Sequence, residues 1–400
     1  MRRVRILFAN DGVGDAGGVQ NYLAAVMPAL AARGHEVALL HLDPLRADEP
    51  SPAPAGTPHF CMAERGVDEG IADALEWGPD VAFTHNMRPL EVDAALVDAL
   101  PVVKMMHGYF GTCISGLKSH QWPRVVPCGK PLGPGCFPIY ATRKCGRMRP
   151  GDVLRGWRWA NEQNDLFDGY AALVTASRHM RDEYVRNGAP ADRVHAIPLF
   201  PTIAGDAAAA PAEFRVLFLG RMTAMKGGDV LIRAIADASE ALGREIPLTM
   251  AGDGPQRTAW ERLAARLGVP ATFTGWVDDG GRAELFRAAS VLAVPSLWPE
   301  PFGLVGLEAG VFGVPSIAFD VGGIDDWLTD GVNGWLVPGD PPSVDALAEA
   351  LLRAARAPDA VAALRRGARE VAERMSLEHH VDAVERVLAS AATSPVHAAG

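Results

Sequence analysis

The stretch at residues 295–315, P-S-L-W-P-E-P-F-G-L-V-G-L-E-A-G-V-F-G-V-P, organises the interpretation of the whole chain. It holds two carboxylates, Glu300 and Glu308, with a Pro-Phe-Gly turn after the first. The apolar run at 290–294 predicts a buried strand before the turn, and the small residues after it predict a helix beginning near Gly303. Ligands bind beyond the carboxyl ends of strands in open α/β sheets, so both carboxylates are candidate ligand-binding groups. Two solvated glutamates in an ordinary strand–loop–helix unit are the alternative.

The composition limits the class of protein before any motif is considered. A length of 400 residues indicates two or three domains, and 48% hydrophobic with 22% charged residues is ordinary for a globular protein. The net charge of −10 argues against a nucleic-acid partner, which needs a basic surface. No apolar run is long enough for a transmembrane helix, and the apolar part of the first ten residues is too short for a secretory signal. We therefore expect a cytoplasmic protein, with peripheral contact to the inner face of a membrane left open.

A glycine-rich loop lies near the start of the chain. The sequence N-D-G-V-G-D-A-G-G-V-Q, residues 10–20, separates a predicted strand at 4–9 from a predicted helix at 19–33. Its glycine spacing matches a dinucleotide-binding loop, but no acidic residue follows at the distance that such a loop requires. We expect instead that Gly17 and Gly18, next to the helix start, bring backbone N–H groups to some other diphosphate.

A histidine follows a later strand of the same half. The run at 102–106 predicts a strand that delivers His107 at its carboxyl end. A histidine there is well placed to touch a ligand, although a lone histidine is more often structural.

The segment that follows, residues 108–151, has an unusual composition. It holds four of the chain's five cysteines, which are Cys113, Cys128, Cys136 and Cys145. A long irregular loop with four cysteines predicts a structural zinc site, although no C-x-x-C pair is present, and disulfides or free thiols are the alternatives. Residues 99–151 also contain eight basic residues and no acidic one. This basic island fits an anionic acceptor or a phospholipid surface, or it offsets thiolates on a metal.

A linker at residues 201–211 separates the first half from a second α/β series, which starts with a strand at 214–219. That strand leads into Gly220 and Arg221, and Lys226 follows in the loop before the next helix. Arg binds a diphosphate through its forked guanidinium and Lys as a point charge, so this loop is a second candidate diphosphate site.

Taken together, these residues resemble the retaining glycosyltransferases of family 4, which have the GT-B architecture. The marks of the resemblance occur in chain order and are Gly17-Gly18, His107, Gly220-Arg221 with Lys226, Gly252-Asp253-Gly254-Pro255, Glu300-x7-Glu308 and Gly322-Gly323. The resemblance implies an α/β fold of two Rossmann-like domains that face each other across a cleft. The acceptor domain would span 1–204, the nucleotide-sugar donor domain 205–375, and a final helix at 376–393 would cross back onto the first domain.

The resemblance also implies an activity and its parts. The enzyme would move a sugar from a UDP- or GDP-sugar to an acceptor hydroxyl with retention of configuration, in polysaccharide, glycolipid or glycoconjugate biosynthesis, and catalysis would need no cofactor. The acceptor would be a sugar, a lipid-linked sugar or a small molecule. The basic segment 108–151 would set acceptor choice or touch a membrane.

The family pattern assigns roles to individual residues. Arg221 and Lys226 would neutralise the donor diphosphate, helped by backbone N–H groups at Gly17, Gly18 and Gly220. Glu308 would hold the ribose hydroxyls, and His107 would lie beside the transferred sugar. Glu300 would hold the donor-sugar hydroxyls together with the N–H groups of Phe302, Gly303 and Leu304.

Two departures from the family pattern stand out. Gln20 occupies a position where members commonly carry Glu, and the cysteine-rich segment is not general in the family. A sugar-nucleotide 2-epimerase of the same fold and an inactive homologue that scaffolds an assembly complex are the alternatives to transfer.

Overall fold

Two parallel β-sheets form the framework of the protein, as seen in a computed structural model that describes residues 3–14, 17–44, 51–207 and 209–394. In the first half, the strands are β1 (Arg5–Asn10), β2 (Glu36–His41), β3 (His59–Cys61), β4 (Val81–Thr84), β5 (Val102–Met106), the short pair β6 (Ser119–His120) and β7 (Val126–Pro127), β8 (Ala172–Thr175) and β9 (Val194–Ala196). The helices of this half are α1 (Gly18–Ala32), α2 (Met62–Arg65), α3 (Val67–Glu76), α4 (Leu90–Ala99), α5 (Cys136–Arg143), α6 (Pro150–Asp165) and α7 (Arg178–Arg186).

The second half repeats the alternation of strands and helices. Its strands are β10 (Val216–Leu219), β11 (Leu248–Ala251), β12 (Ala271–Gly275), β13 (Val291–Val294), β14 (Ser316–Phe319) and β15 (Gly334–Val337). Its helices are α8 (Gly228–Leu242), α9 (Arg257–Leu267), α10 (Asp279–Ala288), α11 (Val305–Val311), α12 (Val344–Arg356), α13 (Pro358–Arg374) and α14 (Leu377–Ala391).

Each half builds one doubly wound sheet. The first has the order β3-β2-β1-β4-β5-β8-β9 and the second β12-β11-β10-β13-β14-β15, with all pairs in both sheets parallel. Central strands such as β4, β5 and β13 are buried along their whole length, because helices cover both faces of a parallel sheet. In both sheets the chain order reverses beside the first strand, which places a ligand crevice at the carboxyl end of β1 and of β10. The predicted α/β fold with two Rossmann-like domains is confirmed.

The final helix α14 packs against the first domain. Ser376 caps it by accepting a hydrogen bond from the His379 amide, and Val381 and Val384 are fully buried in the core of the first domain. Glu385 binds Arg33 at 2.7 Å and His35 at 3.0 Å. The predicted return of the chain to the first domain is therefore observed.

Several polar contacts connect the two domains. Arg178 of α7 binds Asp326 at 3.1 Å, and the Tyr109 hydroxyl lies 3.5 Å from the carbonyl oxygen of Glu300. Thr202, in the connecting segment, donates to Glu308 at 2.7 Å. The Tyr109 contact holds the loop that carries Glu300 against the segment that follows β5.

The segment 108–151, expected to be an irregular loop, carries local structure. It contains the antiparallel pair β6–β7, helix α5 and the first residues of α6. A buried ion pair anchors it, since Lys118 Nζ lies 2.8 Å from Glu183 Oε2 of α7. The expectation of a loop without secondary structure was wrong, because β6 pairs with β7 and a small buried cluster of Ile114, Tyr140 and Cys145 packs within the segment.

Candidate functional site

Glu300 follows β13 and is bound from several sides. Its Oε1 atom lies 2.5 Å from Lys226 Nζ and accepts a hydrogen bond from Ser296, and the residue is only 4% exposed. Burial alone would raise the pKa of Glu300, but the Lys226 ammonium and the Ser296 hydroxyl outweigh burial and hold that pKa below its usual value. Glu300 is therefore an anion at neutral pH, already paired with the lysine that the sequence assigned to the diphosphate.

The paired glycines Gly322 and Gly323 hold the Glu300 loop by its backbone. The Gly323 amide donates to the Glu300 carbonyl at 2.7 Å, and Gly322 forms a parallel bridge with Glu300. Gly322 has φ +65°, and a Cβ there would lie 2.3 Å from the Glu300 carbonyl oxygen. Only glycine fits this close approach, because an added side chain would clash with backbone.

Glu308 is the fourth residue of α11 and is also buried. Arg282 Nη1 lies 3.0 Å from each of its carboxylate oxygens, and Thr202 donates to Oε1. The sequence analysis predicted the carboxylate as a ligand-binding group but missed both partners. Arg282 lies on α10 and Thr202 in the connecting segment, so no local pattern links either of them to Glu308.

A cleft of about 750 Å³ lies between the two domains, and Arg282, the partner of Glu308, lines it, whereas Glu300 and Glu308 themselves do not. Gly17 and Gly18, at the start of α1, line it from the first domain, and Gly220 and Arg221, after β10, line it from the second. Arg221 is exposed and makes no ion pair with any described residue. The structure thus brings together the two glycine loops that the sequence predicted on separate grounds.

The floor of the cleft depends on the Gly252-Asp253-Gly254 turn. The Gly252 backbone packs so closely on Gly220 that a Cβ at residue 252 would lie 2.2 Å from the Gly220 carbonyl oxygen. Trp276 follows β12 at the rim and has 79% of its surface exposed. An indole this exposed beside a cleft is a candidate ligand contact, and the sequence analysis did not single it out.

The start of α11 differs slightly from the prediction. The helix begins at Val305 instead of near Gly303, and the Phe302 carbonyl accepts a hydrogen bond from the Trp327 indole at 2.6 Å. Within the described residues, the backbone N–H groups of Phe302, Gly303 and Leu304 donate no hydrogen bond. These groups are available to a ligand, and their role in holding a sugar stays a prediction.

His107 lies at the carboxyl end of β5, as predicted, next to a second histidine. Its Nε2 atom is 3.0 Å from Nδ1 of His85, and the Tyr22 ring contacts it edge-on at 5.6 Å. Burial, the charge of Lys104 and the nearby His380 lower the pKa of His107 to about 3. The imidazole is therefore neutral at pH 7, and it can exchange hydrogen bonds but supplies no positive charge.

The four cysteines of the segment 108–151 do converge, but not as a metal centre. Cys113, Cys128, Cys136 and Cys145 line one cavity of about 30 Å³. All five cysteines of the protein are free, and no group of three or more His, Cys, Asp or Glu among the described residues is arranged to hold a metal ion. Three of the thiols hydrogen-bond to other groups, namely Cys113 to Ser115, Cys136 to a backbone carbonyl and Cys145 to His120. The structure does not support the zinc prediction, and free thiols are what it contains.

The basic island is smaller at the surface than in the sequence. Lys104 is buried against Asp93 at 2.5 Å, and Lys118 is buried against Glu183. Six of the eight cations remain exposed, which are Arg124, Lys130, Arg143, Lys144, Arg147 and Arg149. Across the described part of the chain, no helix is long and apolar enough to cross a membrane.

Two family models match the chain, one for each half. Residues 16–200 match the model described as Glycosyltransferase Family 4, and residues 202–371 match the model described as Glycosyl transferases group 1. The D-inositol 3-phosphate glycosyltransferase of Xylanimonas cellulosilytica is 30% identical over 83% of this chain and 82% of its own length. The enzyme of the same name from Mycolicibacterium paratuberculosis is 30% identical over 96% of this chain and 89% of its own length.

Solved structures share the fold at lower identity. Anabaena HepE in complex with UDP-glucose superposes with a TM-score of 0.68 at 20% identity, covering 97% of this chain and 100% of that one. The sucrose-phosphate synthase of Thermosynechococcus elongatus gives a TM-score of 0.68 at 22% identity over 97% of this chain and 99% of that one. TarM gives 0.73 at 9% identity over 96% of this chain and 98% of that one.

Proposed function

Because the chain belongs to the family 4, group 1 glycosyltransferases and moves a sugar from a nucleotide-sugar donor, we propose that this donor is a UDP- or GDP-sugar. We propose further that transfer retains the anomeric configuration and serves polysaccharide, glycolipid or glycoconjugate synthesis. The acceptor is a hydroxyl of a sugar, a lipid-linked sugar or a small molecule. The observation that carries the proposal is the interdomain cleft, where Gly17 and Gly18 face Gly220 and Arg221.

The diphosphate lies between these two loops. The first amides of α1 have no partner within the helix, so they donate to anionic oxygens that the helix dipole also favours. Arg221 pairs with no carboxylate of the described residues, so it has none of these to release before it binds phosphate. Lys226 shares its ammonium between Glu300 and the diphosphate, because an ammonium has three N–H donors. Negative charge that develops on the leaving group is stabilised by donors that are already in place.

The sugar and the nucleoside occupy the two sides of the diphosphate. Glu300 and the free N–H groups of Phe302, Gly303 and Leu304 hold the hydroxyls of the transferred sugar, and neutral His107 faces the same sugar from the first domain. Glu308 accepts from the ribose hydroxyls, and Arg282 and Thr202 hold its carboxylate in position. The base lies against Trp276, whose exposed indole offers a stacking surface.

The test of the donor site measures nucleotide release from UDP- and GDP-sugars by the purified protein. Arg221→Ala is expected to lower turnover about 100- to 1000-fold, the loss typical when one preorganised charge-stabilising group is removed. Arg215→Ala is the matched control, because Arg215 lies just before the opposite end of β10 and, among the described residues, forms its ion pair with Glu213 alone. Equal turnover in the two variants, or no binding of either nucleotide, would refute the proposed donor site.

Retention is tested on the product. We expect NMR of the new glycosidic linkage to show the same anomeric configuration as the donor. An inverted linkage would contradict a mechanism in which the acceptor attacks from the side of the departing phosphate.

We also propose that the segment 108–151 touches an anionic membrane surface. Its six exposed cations stand beside exposed apolar side chains, of which Trp122 is 53% and Met148 is 45% exposed. Cations drawn to anionic headgroups together with apolar side chains at the interface are what peripheral binding requires. Sedimentation with phosphatidylserine vesicles, and not with phosphatidylcholine vesicles, is the expected result, and Arg143→Glu with Lys144→Glu is expected to abolish it. Equal sedimentation with both vesicle types would contradict the proposal.

A further inference from the structure

A second large cavity, of about 660 Å³, lies entirely within the first domain. It opens beyond the carboxyl ends of β1, β4 and β5, beside the glycine loop and the His85–His107 pair. Its place beside the predicted position of the transferred sugar makes it the acceptor pocket under the proposed function, and the inference below rests on that function. The charges of this pocket decide what kind of acceptor it accommodates.

Among the described residues that line the acceptor pocket, the two cations are already bound to carboxylates. The Arg88 guanidinium and backbone amide both donate to Asp11, which is 5% exposed, with the amide at 3.0 Å. The Lys104 ammonium lies 2.5 Å from the buried Asp93. Asp43 lines the same pocket, is exposed, and makes no ion pair with any described residue.

The charge balance of the pocket therefore opposes an anion. Among the described residues, Asp11 and Asp43 line the pocket and Asp93 binds Lys104, so three carboxylates stand against two cations. His85 is neutral because burial lowers its pKa well below the usual value. A phosphomonoester needs Arg or Lys donors that are not already paired with a carboxylate, as in Arg clusters that bind phosphate through bidentate hydrogen bonds. Here a phosphate would have to displace Asp11 from Arg88 and would face Asp43 as a like charge.

The remaining walls suit an uncharged, hydroxyl-bearing ring. Phe110 and Trp159 meet edge to face, with ring centres 5.7 Å apart, and a hydrogen bond of 3.0 Å from the indole to the Arg88 carbonyl fixes Trp159. Aromatic faces bind the C–H faces of sugar rings, and the side-chain amides of Gln20 and Asn86 offer donors and acceptors for hydroxyls.

We infer that the acceptor is a sugar unit without a phosphate group, stacked on Phe110 and Trp159, with a hydroxyl or amino group directed to Asp43. The chain differs in this respect from relatives whose names specify inositol 3-phosphate as the acceptor. Its acceptor specificity comes from the carboxylates that neutralise Arg88 and Lys104. The carboxylate of Asp43, which pairs with no cation of the described residues, adds to it.

The experiment measures binding of D-myo-inositol 3-phosphate and of myo-inositol to the UDP-saturated wild-type protein by calorimetry. We expect no heat of binding from the phosphorylated probe at concentrations up to about 1 mM, at which a complex with a Kd of about 1 mM would be half formed. Asp11→Asn with Asp43→Asn, which frees Arg88, is expected to bind the phosphorylated probe at least about tenfold more tightly than wild type, a gain of roughly 1.4 kcal/mol. The single variant Asp43→Asn changes an exposed residue only and leaves the buried Asp11 in place.

Two results would overturn the inference. One is wild-type binding of inositol 3-phosphate with a Kd below about 1 mM, and the other is unchanged phosphate binding after both carboxylates are neutralised. UDP binding is recorded in the same titrations. Loss of UDP binding would contradict the proposed donor function, whereas phosphate binding with UDP binding intact would contradict only the acceptor inference.

In a second arm, nucleotide release is followed with methyl glycosides of glucose, galactose, mannose and glucosamine and with the matching sugar 6-phosphates. Each unphosphorylated acceptor is expected to stimulate release at least as strongly as its phosphate. A Trp159→Ala variant is expected to raise the KM for the acceptor, with Trp159→Phe retaining most of the affinity. A phosphate that outperforms its unphosphorylated partner counts against the inference.

Discussion

Replacing Arg282 by Met offers the sharpest test of how the proposed donor site is built. Arg282 Nη1 lies 3.0 Å from both oxygens of Glu308, and the two side chains are 17% and 5% exposed. Met keeps the length and apolar stem of the arginine but removes the charge and the donors. The substitution therefore leaves Glu308 as a buried carboxylate whose remaining partner is the Thr202 hydroxyl.

The expected loss of stability follows from this geometry. Removing one partner of a buried ion pair typically costs about 3–5 kcal/mol, because the other charge stays desolvated and unpaired. Thr202 still donates, and the partly exposed end of residue 282 admits water, so we expect the lower end, about 3 kcal/mol. For a domain of this size that corresponds to a decrease in Tm of about 6–12 °C.

The assay is urea denaturation of the nucleotide-free protein, followed by tryptophan fluorescence, with Arg266→Met as the matched surface control on α9. The double variant Arg282→Met with Glu308→Gln removes the orphaned charge and is expected to regain most of the loss, coming within about 1 kcal/mol of wild type. A single-variant loss below about 1 kcal/mol would refute the reasoning, as would a double variant no more stable than the single one.

Three further expectations follow from the structure. Trp276→Ala is expected to raise the KM for the donor about 5- to 150-fold, the equivalent of about 1–3 kcal/mol of base stacking, whereas Trp276→Phe keeps most of the affinity. A Trp276→Ala variant with the same KM as the wild type would contradict base stacking. Gly322→Ala is expected to lower Tm more than Gly331→Ala, because both have positive φ (+65° and +73°) but only the first would clash, 2.3 Å from the Glu300 carbonyl oxygen. Burial would raise the pKa of Glu385, but hydrogen bonds from Arg33 and His35 hold this pKa below 4.5. The contribution of Glu385 to stability is therefore present above pH 4.5 and is lost as the pH falls through the lowered pKa. Glu385→Gln is expected to reduce the decrease in unfolding free energy at acid pH, as measured by denaturation.

Much of the framework could be predicted because its signals are local. The runs at 102–106 and 290–294 are short, apolar and β-branched, and the structure has strands there at Val102–Met106 and Val291–Val294. Glycines at the ends of β1 and β10 mark the turns where a parallel sheet presents its ligand edge. Such features need no knowledge of distant contacts.

The parts that were missed depend on contacts across long sequence separations. Arg282 is 26 residues from Glu308, and Thr202 is 106 residues away, so the carboxylate could be predicted but its partners could not. A small buried cluster of Ile114, Tyr140 and Cys145 forms within the segment 108–151. Contacts from α7 and the residue after it add to this order, because Glu183 binds Lys118 and Asn187 binds the Leu132 amide. Four cysteines in such a segment suggest zinc from composition alone, whereas the positions of the thiols depend on this tertiary packing.

Glu300 and Glu308 have the same electrostatic arrangement. Each is buried and paired with a cation, Glu300 with Lys226 and Glu308 with Arg282, so the unliganded site holds no unpaired buried charge at either position. Arg221, at the mouth of the cleft, is instead exposed and free of carboxylates within the described residues. Under the proposed function a diphosphate therefore contacts Arg221 without displacing any described carboxylate from it. Under the proposed function Glu300 binds hydroxyls as an anion, because its pKa is held below the usual value and not raised toward neutrality as a general acid would need.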